Sequence, residues 1–146
     1  MRAYLGRRYH FSASHRLHTD ALSNEENRAV YGKCNHPYGH GHNYVIEVMV
    51  GGPVDAETGM VCDLPALDAC VRKQVLESFD HTNLNLQPCF ENAVPTTENL
   101  CIEIDRRLRR SFHEAEIVSV RVEETQNNSF EIEPDASAAG SAAGSV

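Results

Sequence analysis

The chain reads as a two-layer α+β domain in which a four-stranded antiparallel sheet carries two helices on one face, in the order β-β-α-α-β-β. Three observations predict it. Residues 4–15 and 40–50 alternate apolar and polar side chains with the period of a half-buried strand. Apolar residues then recur at helical spacing over 64–79 and again from Leu100 to Phe112. Strand alternation returns in 117–124 and 129–133. At 146 residues there is room for one core but not for two ordinary domains. Residues 1–134 are therefore assigned to a single domain, and 135–146, rich in Ser, Ala and Gly, to a disordered low-complexity tail.

In the first strand, Leu5, Arg7, Tyr9, Phe11, Ala13 and His15 share one face, so His15 extends a mostly apolar surface. Residues 16–39 form a long connection, of the kind compact domains usually keep for function. Within it Ser23 and Glu26 stand at capping-box spacing, which predicts a short helix running to about Tyr31 and stopped at Gly32. In the second strand His40 and His42 point the same way as Tyr44, Ile46, Val48 and Val50. Leu64, Leu67, Cys70, Val71, Gln74, Val75 and Phe79 stripe the helix of 64–79. Thr96 or Thr97 caps the next helix, with Glu98 near the positive end of its dipole. The Asp105-Arg-Arg-Leu-Arg-Arg run falls on that helix's outer side, which favours a solvated face over a nucleic-acid patch. One face of the third strand is Val118, Val120, Val122 and then Glu124. A carboxylate that continues an apolar face is costly unless paired. Either the strand frays into water there, or Glu124 awaits the N–H groups of a ligand. A sheet this small leaves edges and one face uncovered, so oligomerisation is expected.

Composition narrows the classes. A formal charge of −8 disfavours non-specific nucleic-acid binding. No apolar run reaches membrane-span length, and the first residues lack the apolar block of a signal peptide, so the expected location is the cytoplasm. Cysteines 34, 62, 70, 89 and 101 form no C-x-x-C pair and read as free thiols.

The chemistry gathers in Cys34-Asn-His-Pro-Tyr-Gly-His40-Gly-His42-Asn-Tyr44. With His15 from the preceding strand, His40 and His42 make three imidazoles at strand ends. Three histidines with no fourth protein ligand describe a zinc site that keeps a position open for chemistry; iron, nickel and copper also accept imidazole. Cys34 has three readings: a fourth ligand that closes the site, a buried bystander, or a reactive thiolate whose pKa is lowered by Lys33 or the metal. Asp80-His81 favours the last, because an Asp beside a His can hold the imidazole in one tautomer within a Cys-His-Asp relay. The dipeptide alone establishes no contact.

Beyond this block, Phe11-Ser-Ala-Ser-His15, Thr58-Gly-Met-Val61, Asp80-His81-x-Asn-Leu84, Thr96-Thr-Glu-Asn99 and Val122-Glu-Glu-Thr125 follow in order. With the histidine block they resemble the 6-pyruvoyl-tetrahydropterin synthase / 6-carboxy-tetrahydropterin synthase family over about residues 8–133. The resemblance implies the tunnelling fold, trimers whose sheets join into a barrel, and a homohexamer of two trimers with active sites at subunit interfaces. It implies zinc on His15, His40 and His42, with Cys34 as general base and Asp80 and His81 completing its relay. Glu124 would anchor the pterin ring, with Thr97 and Glu98 near that pocket.

The implied activity is a carbon–oxygen lyase reaction: 7,8-dihydroneopterin triphosphate to 6-pyruvoyl-tetrahydropterin, with loss of triphosphate. Zinc would act as a Lewis acid on the side-chain hydroxyls while Cys34 removes a proton. Arg8, Arg16 and Lys33 are candidates, by charge and position, to neutralise the triphosphate. The alternative branch forms 6-carboxy-5,6,7,8-tetrahydropterin for queuosine synthesis from the same substrate. Its cysteine typically stands closer to His-x-His. Here five residues separate Cys34 from His40, and Cys-Asn-x-Pro-x-Gly is the pattern of the biopterin branch, although His36 and Tyr38 replace the asparagines common there. Two readings from other classes stay open: a non-catalytic zinc- or pterin-binding homologue, and a structural zinc protein in which Cys34 is a ligand.

Overall fold

A computed structural model describes residues 1–135; the expectation for the tail beyond them lies outside the described residues. Two fourteen-residue strands, β1 (Arg2–His15) and β2 (His40–Pro53), form the backbone of the sheet. They pair antiparallel from Arg2↔Pro53 at one end to His15↔His40 at the other. β4 (Glu116–Glu123) adds beside β2 and β5 (Ser129–Ile132) beside β4, both antiparallel.

The sheet has five strands rather than four, in the order β3-β1-β2-β4-β5. The extra member, β3 (Thr82–Asn83), is two residues long and runs parallel to β1. Two residues carry no alternation, so no periodicity could have revealed it. A second difference lies in β4. Ile117, Val120 and Val122 are buried, whereas Val118 is not. The register passes from Met49↔Ser119 to Val50↔Ile117, so Val118 is the extra residue of a bulge that inverts the alternation before it.

The two longer helices cover one face of the sheet, and a short one stands in the β1–β2 connection. α1 (Asn24–Tyr31) starts at the expected capping box: Glu26 N–H donates to Ser23 Oγ (3.1 Å) and Ser23 N–H to Glu26 Oε1 (3.0 Å). α2 (Leu64–Val71) continues through a π turn at Arg72–Leu76 and a last turn at Glu77–Phe79. The π turn has a reason in the sequence. Leu67, Val71, Val75 and Phe79, all fully buried, step by four residues, which overshoots a 3.6-residue turn by about 40° each time. A wider turn takes up the drift. α3 (Thr97–Ser111) is capped by Thr96, whose hydroxyl accepts from Asn99 N–H at 3.1 Å. Three of its four arginines pair with carboxylates of the helix itself, Arg106 and Arg107 with Glu103 and Arg109 with Asp105.

Between the layers, Phe11 stacks on Tyr44 at 5.0 Å. Ile46, Val48, Leu67, Leu100, Ile104 and Leu108 are fully buried around them. Each such side chain contributes about 1.5–3 kcal/mol, so the helix-side face is fixed firmly along its length. The opposite face carries Arg8, Glu47, Arg121 and Glu123 in exposed ion pairs, and no described element covers it.

Candidate metal centre

The register decides the site. Directly opposed residues of an antiparallel pair lie on one face. His15↔His40 and Ala13↔His42 therefore bring three imidazoles to the helix-side face at the end of the β1–β2 ladder. Gly39 makes the turn into β2 possible: its φ is +73°, and a Cβ there would stand 2.9 Å from the His15 carbonyl oxygen. Only glycine fits that approach without strain.

His15 is 1% exposed, and its Nδ1 lies 2.8 Å from the Pro95 carbonyl oxygen. A carbonyl only accepts, so Nδ1 carries the hydrogen and Nε2 presents its lone pair. That Nε2 is 3.0 Å from His40 Nε2 and 3.5 Å from Glu124 Oε1. His42 Nε2 lies 3.1 Å from the same carboxylate oxygen, yet it is buried with no hydrogen-bond geometry to any group. Ligand atoms of His15, His40, His42 and Glu124 fall within 4.8 Å of one another. Donors about 2.0–2.1 Å from one zinc ion would stand about 3.4 Å apart, near the 3.0 Å between His15 Nε2 and His40 Nε2. Burial is the first cause that lowers the pKa of both His15 and His42, which keeps their lone pairs free. The donor set thus fits a divalent ion of zinc's preference.

Glu124 is the first residue after β4, and its side chain is 13% exposed. It does not fray into water; it faces the histidines, so the paired reading holds. Cys34 sits in a turn of 3₁₀-helix, Gly32–Asn35, whose carbonyl at Cys34 accepts Leu17 N–H at 2.8 Å. It is half-buried and does not belong to the ligand cluster among the described residues. Burial, and then the charge of Glu124, push its thiol up in the metal-free chain.

Other expected residues fall around this centre unevenly. Thr97 is 3% exposed, and its Oγ1 has no hydrogen-bond partner. Glu98 is exposed in the first turn of α3. Asp80 accepts Ser12 N–H at 2.9 Å and lies 3.0 Å from His81 Nδ1. His81 has φ +60°, costly for a non-glycine residue, and its side chain is 83% exposed. No hydrogen bond joins it to Cys34 within one chain among the described residues. Arg8 lies on the helix-free face, paired with Glu47 and Glu123, apart from Arg16 and Lys33.

Two contributors escaped sequence reading. Tyr44 counted only as an apolar-face residue, yet its hydroxyl lies 3.3 Å from His15 Nδ1; a buried phenol one strand repeat beyond His-x-His was the available signal. The Pro95 carbonyl left none, since a backbone acceptor has no identity in sequence.

Fold and site together define a two-layer α+β domain with an imidazole-rich cluster able to hold a metal ion at one sheet end. The chain belongs to the 6-pyruvoyl tetrahydropterin synthase family, whose family model matches residues 4–135, and its fold is the tunnelling fold. It is 45% identical over 126 residues to 6-pyruvoyl tetrahydrobiopterin synthase of Poecilia reticulata, covering 86% of each chain. The structure of Caenorhabditis elegans 6-pyruvoyl tetrahydropterin synthase superposes with a TM-score of 0.88 at 38% identity, covering 92% of this chain and 97% of that one. An archaeal protein provisionally named 6-carboxy-5,6,7,8-tetrahydropterin synthase, from Archaeoglobus fulgidus, matches less of the chain: 39% identity over 93 residues, covering 64% of it and 74% of the archaeal chain.

Proposed function

We propose that this chain converts 7,8-dihydroneopterin triphosphate to 6-pyruvoyl-tetrahydropterin and triphosphate, with zinc held by His15, His40 and His42. The observation that carries the reading is the fixed tautomer of His15, which turns Nε2 toward two further imidazoles beside an unsatisfied, buried His42 Nε2. Zinc, when bound, supplies Lewis acidity toward an oxygen of the substrate side chain.

The chain's own residues supply the rest. The Glu124 carboxylate accepts N–H groups of the pterin ring, which fixes the ring's orientation. Thr97 Oγ1, buried and unpartnered, offers a hydroxyl to the same ring, and Glu98 lies at the rim of that pocket. Cys34 takes the proton from the side-chain carbon as general base. Two hydrogens leave the first side-chain carbinol and arrive on the pyrazine ring, so ring reduction balances side-chain oxidation. The second carbinol loses its carbon-bound hydrogen as the neighbouring C–O bond to triphosphate breaks. The resulting enol becomes the terminal methyl ketone, and no external reductant is consumed. A cation held by the neighbouring histidines would favour the Cys34 thiolate that this step uses.

Asp80 and His81 complete the relay of Cys34 from a neighbouring subunit. The exposed imidazole of His81, carried on a positive-φ backbone, supports this, as do the uncovered sheet face and free β5 edge that a trimer, and then a hexamer, would close. Five free thiols fit a reducing compartment, and no helix among the described residues is long and apolar enough to cross a membrane; the cytoplasm is the proposed location.

The test is product identification. Zinc-loaded protein given dihydroneopterin triphosphate should yield 6-pyruvoyl-tetrahydropterin by mass, without acetaldehyde. Acetaldehyde with a carboxy-pterin would assign the queuosine branch instead. A zinc-loaded protein that binds the pterin without turnover would be a binding homologue.

A further inference from the structure

We infer that the groove lined by Arg16, Arg28, Lys33 and His36 is a polyphosphate-binding subsite that measures the length of the substrate's phosphate tail, with Arg28 reading the terminal phosphate. The inference rests on the proposed reaction for its ligand and on charge placement for its site. The groove has a volume of about 790 Å³ and shares His40 with the metal centre, and no carboxylate lines it. In a chain of net charge −8 that is unusual placement.

The cations there are also free of anions. Arg2, Arg7, Arg8, Arg106, Arg107, Arg109 and Arg121 each pair with a carboxylate. Among the described residues the cations without one are Arg16, Arg28 and Lys33, all in this groove, and Arg72, Lys73 and Arg110 elsewhere. Like charges gathered without counter-charge repel one another, an arrangement that a bound anion relieves.

Arg16 is held ready. Its backbone N–H donates to Asn85 Oδ1 at 2.7 Å, and its carbonyl accepts Asn85 Nδ2 at 2.9 Å. Its Nε donates to the Asn35 carbonyl at 3.1 Å, which leaves both terminal amino groups of the guanidinium unused. A pinned fork of this kind suits phosphate oxygens, because little side-chain freedom remains to be lost. His36 Nδ1 accepts Tyr38 N–H at 3.3 Å, so its hydrogen sits on Nε2 as a further donor. Along the chain, Arg16 follows His15 directly and Lys33 precedes Cys34, whereas Arg28, in the last turn of α1, is the groove cation farthest along the chain from both Cys34 and His40 apart from Arg16. On that order we assign Arg16 and Lys33 to the phosphates nearer the reacting carbons and Arg28 to the terminal one. The larger cavity at the other end of the sheet, about 910 Å³, sets Asp55, Asp63, Glu114 and Glu116 beside Arg2 and Arg109, an excess of carboxylates that suits a polyanion less well.

Calorimetry of the zinc-loaded protein with inorganic triphosphate, pyrophosphate and orthophosphate tests the subsite without requiring turnover. Affinity should fall in that order. Arg28→Glu should weaken triphosphate roughly tenfold or more and leave orthophosphate nearly unchanged, whereas Arg110→Glu, the control outside the groove, should change neither. In turnover, Arg28→Glu should raise KM for the triphosphate substrate by a similar factor with kcat little altered. Equal affinity for the three anions, or equal losses in Arg28→Glu and Arg110→Glu, would overturn the subsite while leaving the reaction intact. Length-dependent binding without any turnover would keep the subsite and sink the reaction.

Discussion

The two ends of the β1–β2 ladder offer a controlled comparison, because one pair of strands builds both. At the end where β1 begins and β2 stops lies the larger cavity, about 910 Å³. Its charges are largely matched: Arg2 pairs with Glu116, and Arg109 donates to Asp105 and to the carbonyls of Ile117 and Val118. At the histidine end the space is smaller, yet polar chemistry is left unfinished. His42 Nε2 and Thr97 Oγ1 are buried without partners, and three cations stand without anions beside them. Native proteins rarely leave buried polar atoms unpaired, so the unfinished groups, not the volume, mark where a ligand belongs.

The largest expected effect comes from breaking the histidine end at its proposed metal site. His42→Ala should lower bound zinc well below one per subunit and reduce turnover by about a thousandfold or more, as read by elemental analysis beside the product assay. Full zinc content in that variant would remove His42 from the ligand set. Cys34→Ala separates base from ligand: zinc should stay near stoichiometric while turnover falls about 10²–10⁴-fold. Mixing Cys34→Ala with His81→Ala protein after reversible dissociation should restore part of the activity if the relay forms between subunits. No recovery in mixed oligomers would place base and relay in one chain.

The Cys34 thiol also has a pH signature. Burial and Glu124 raise its pKa, so alkylation of metal-free protein should become fast only above the ordinary thiol range. Zinc loading should move that rise to lower pH, because a nearby cation favours the thiolate. Glu124→Gln removes the second of those causes and should move the rise in the same direction in metal-free protein. In turnover, Glu124→Gln should raise KM about 10–100-fold through loss of charge-assisted hydrogen bonds to the pterin.

Legibility followed the same division. The histidine end was readable because its signals are local: a His-x-His step on one strand face, a capping box at Ser23, and a glycine before His40. Glu124 was readable as a conflict between charge and apolar alternation, and the structure resolves it toward the histidines. What was not readable depends on register and backbone. The bulge at Val118 and the two-residue β3 follow from how strands meet, which alternation within one strand cannot encode. The Tyr44 hydroxyl and the Pro95 carbonyl acquire roles only through their distance from His15. Even the π turn in α2, visible afterwards in the four-residue step from Leu67 to Phe79, needed the sheet's shape to distinguish it from an ordinary stripe.

Away from the histidine end, mutations should change stability without changing chemistry. Asp68 accepts from Arg7 (2.9 and 3.1 Å) and from the Tyr9 hydroxyl (2.7 Å), tying α2 to β1. Arg7, then Tyr9, hold its carboxyl below the usual range. The folded state therefore binds that proton more weakly than the unfolded chain. The stabilisation is fully present above the unfolded value of about 3.9 and is lost as pH falls through the lower folded value. Asp68→Asn should flatten that acid limb of the Tm profile while kcat at neutral pH stays at the wild-type value.

The smallest effect should come from Arg2→Ala. Its partner Glu116 is exposed, with 62% of its side-chain surface open against 47% for Arg2, and exposed pairs of this kind contribute little because water and salt screen them. Removing the guanidinium should leave zinc content, kcat and KM unchanged and shift the denaturation midpoint only slightly. The result matters because Arg2 lines the larger cavity. If its loss lowered turnover tenfold, that cavity would be part of the working site, and unfinished polar chemistry would cease to be the feature that separates the two ends.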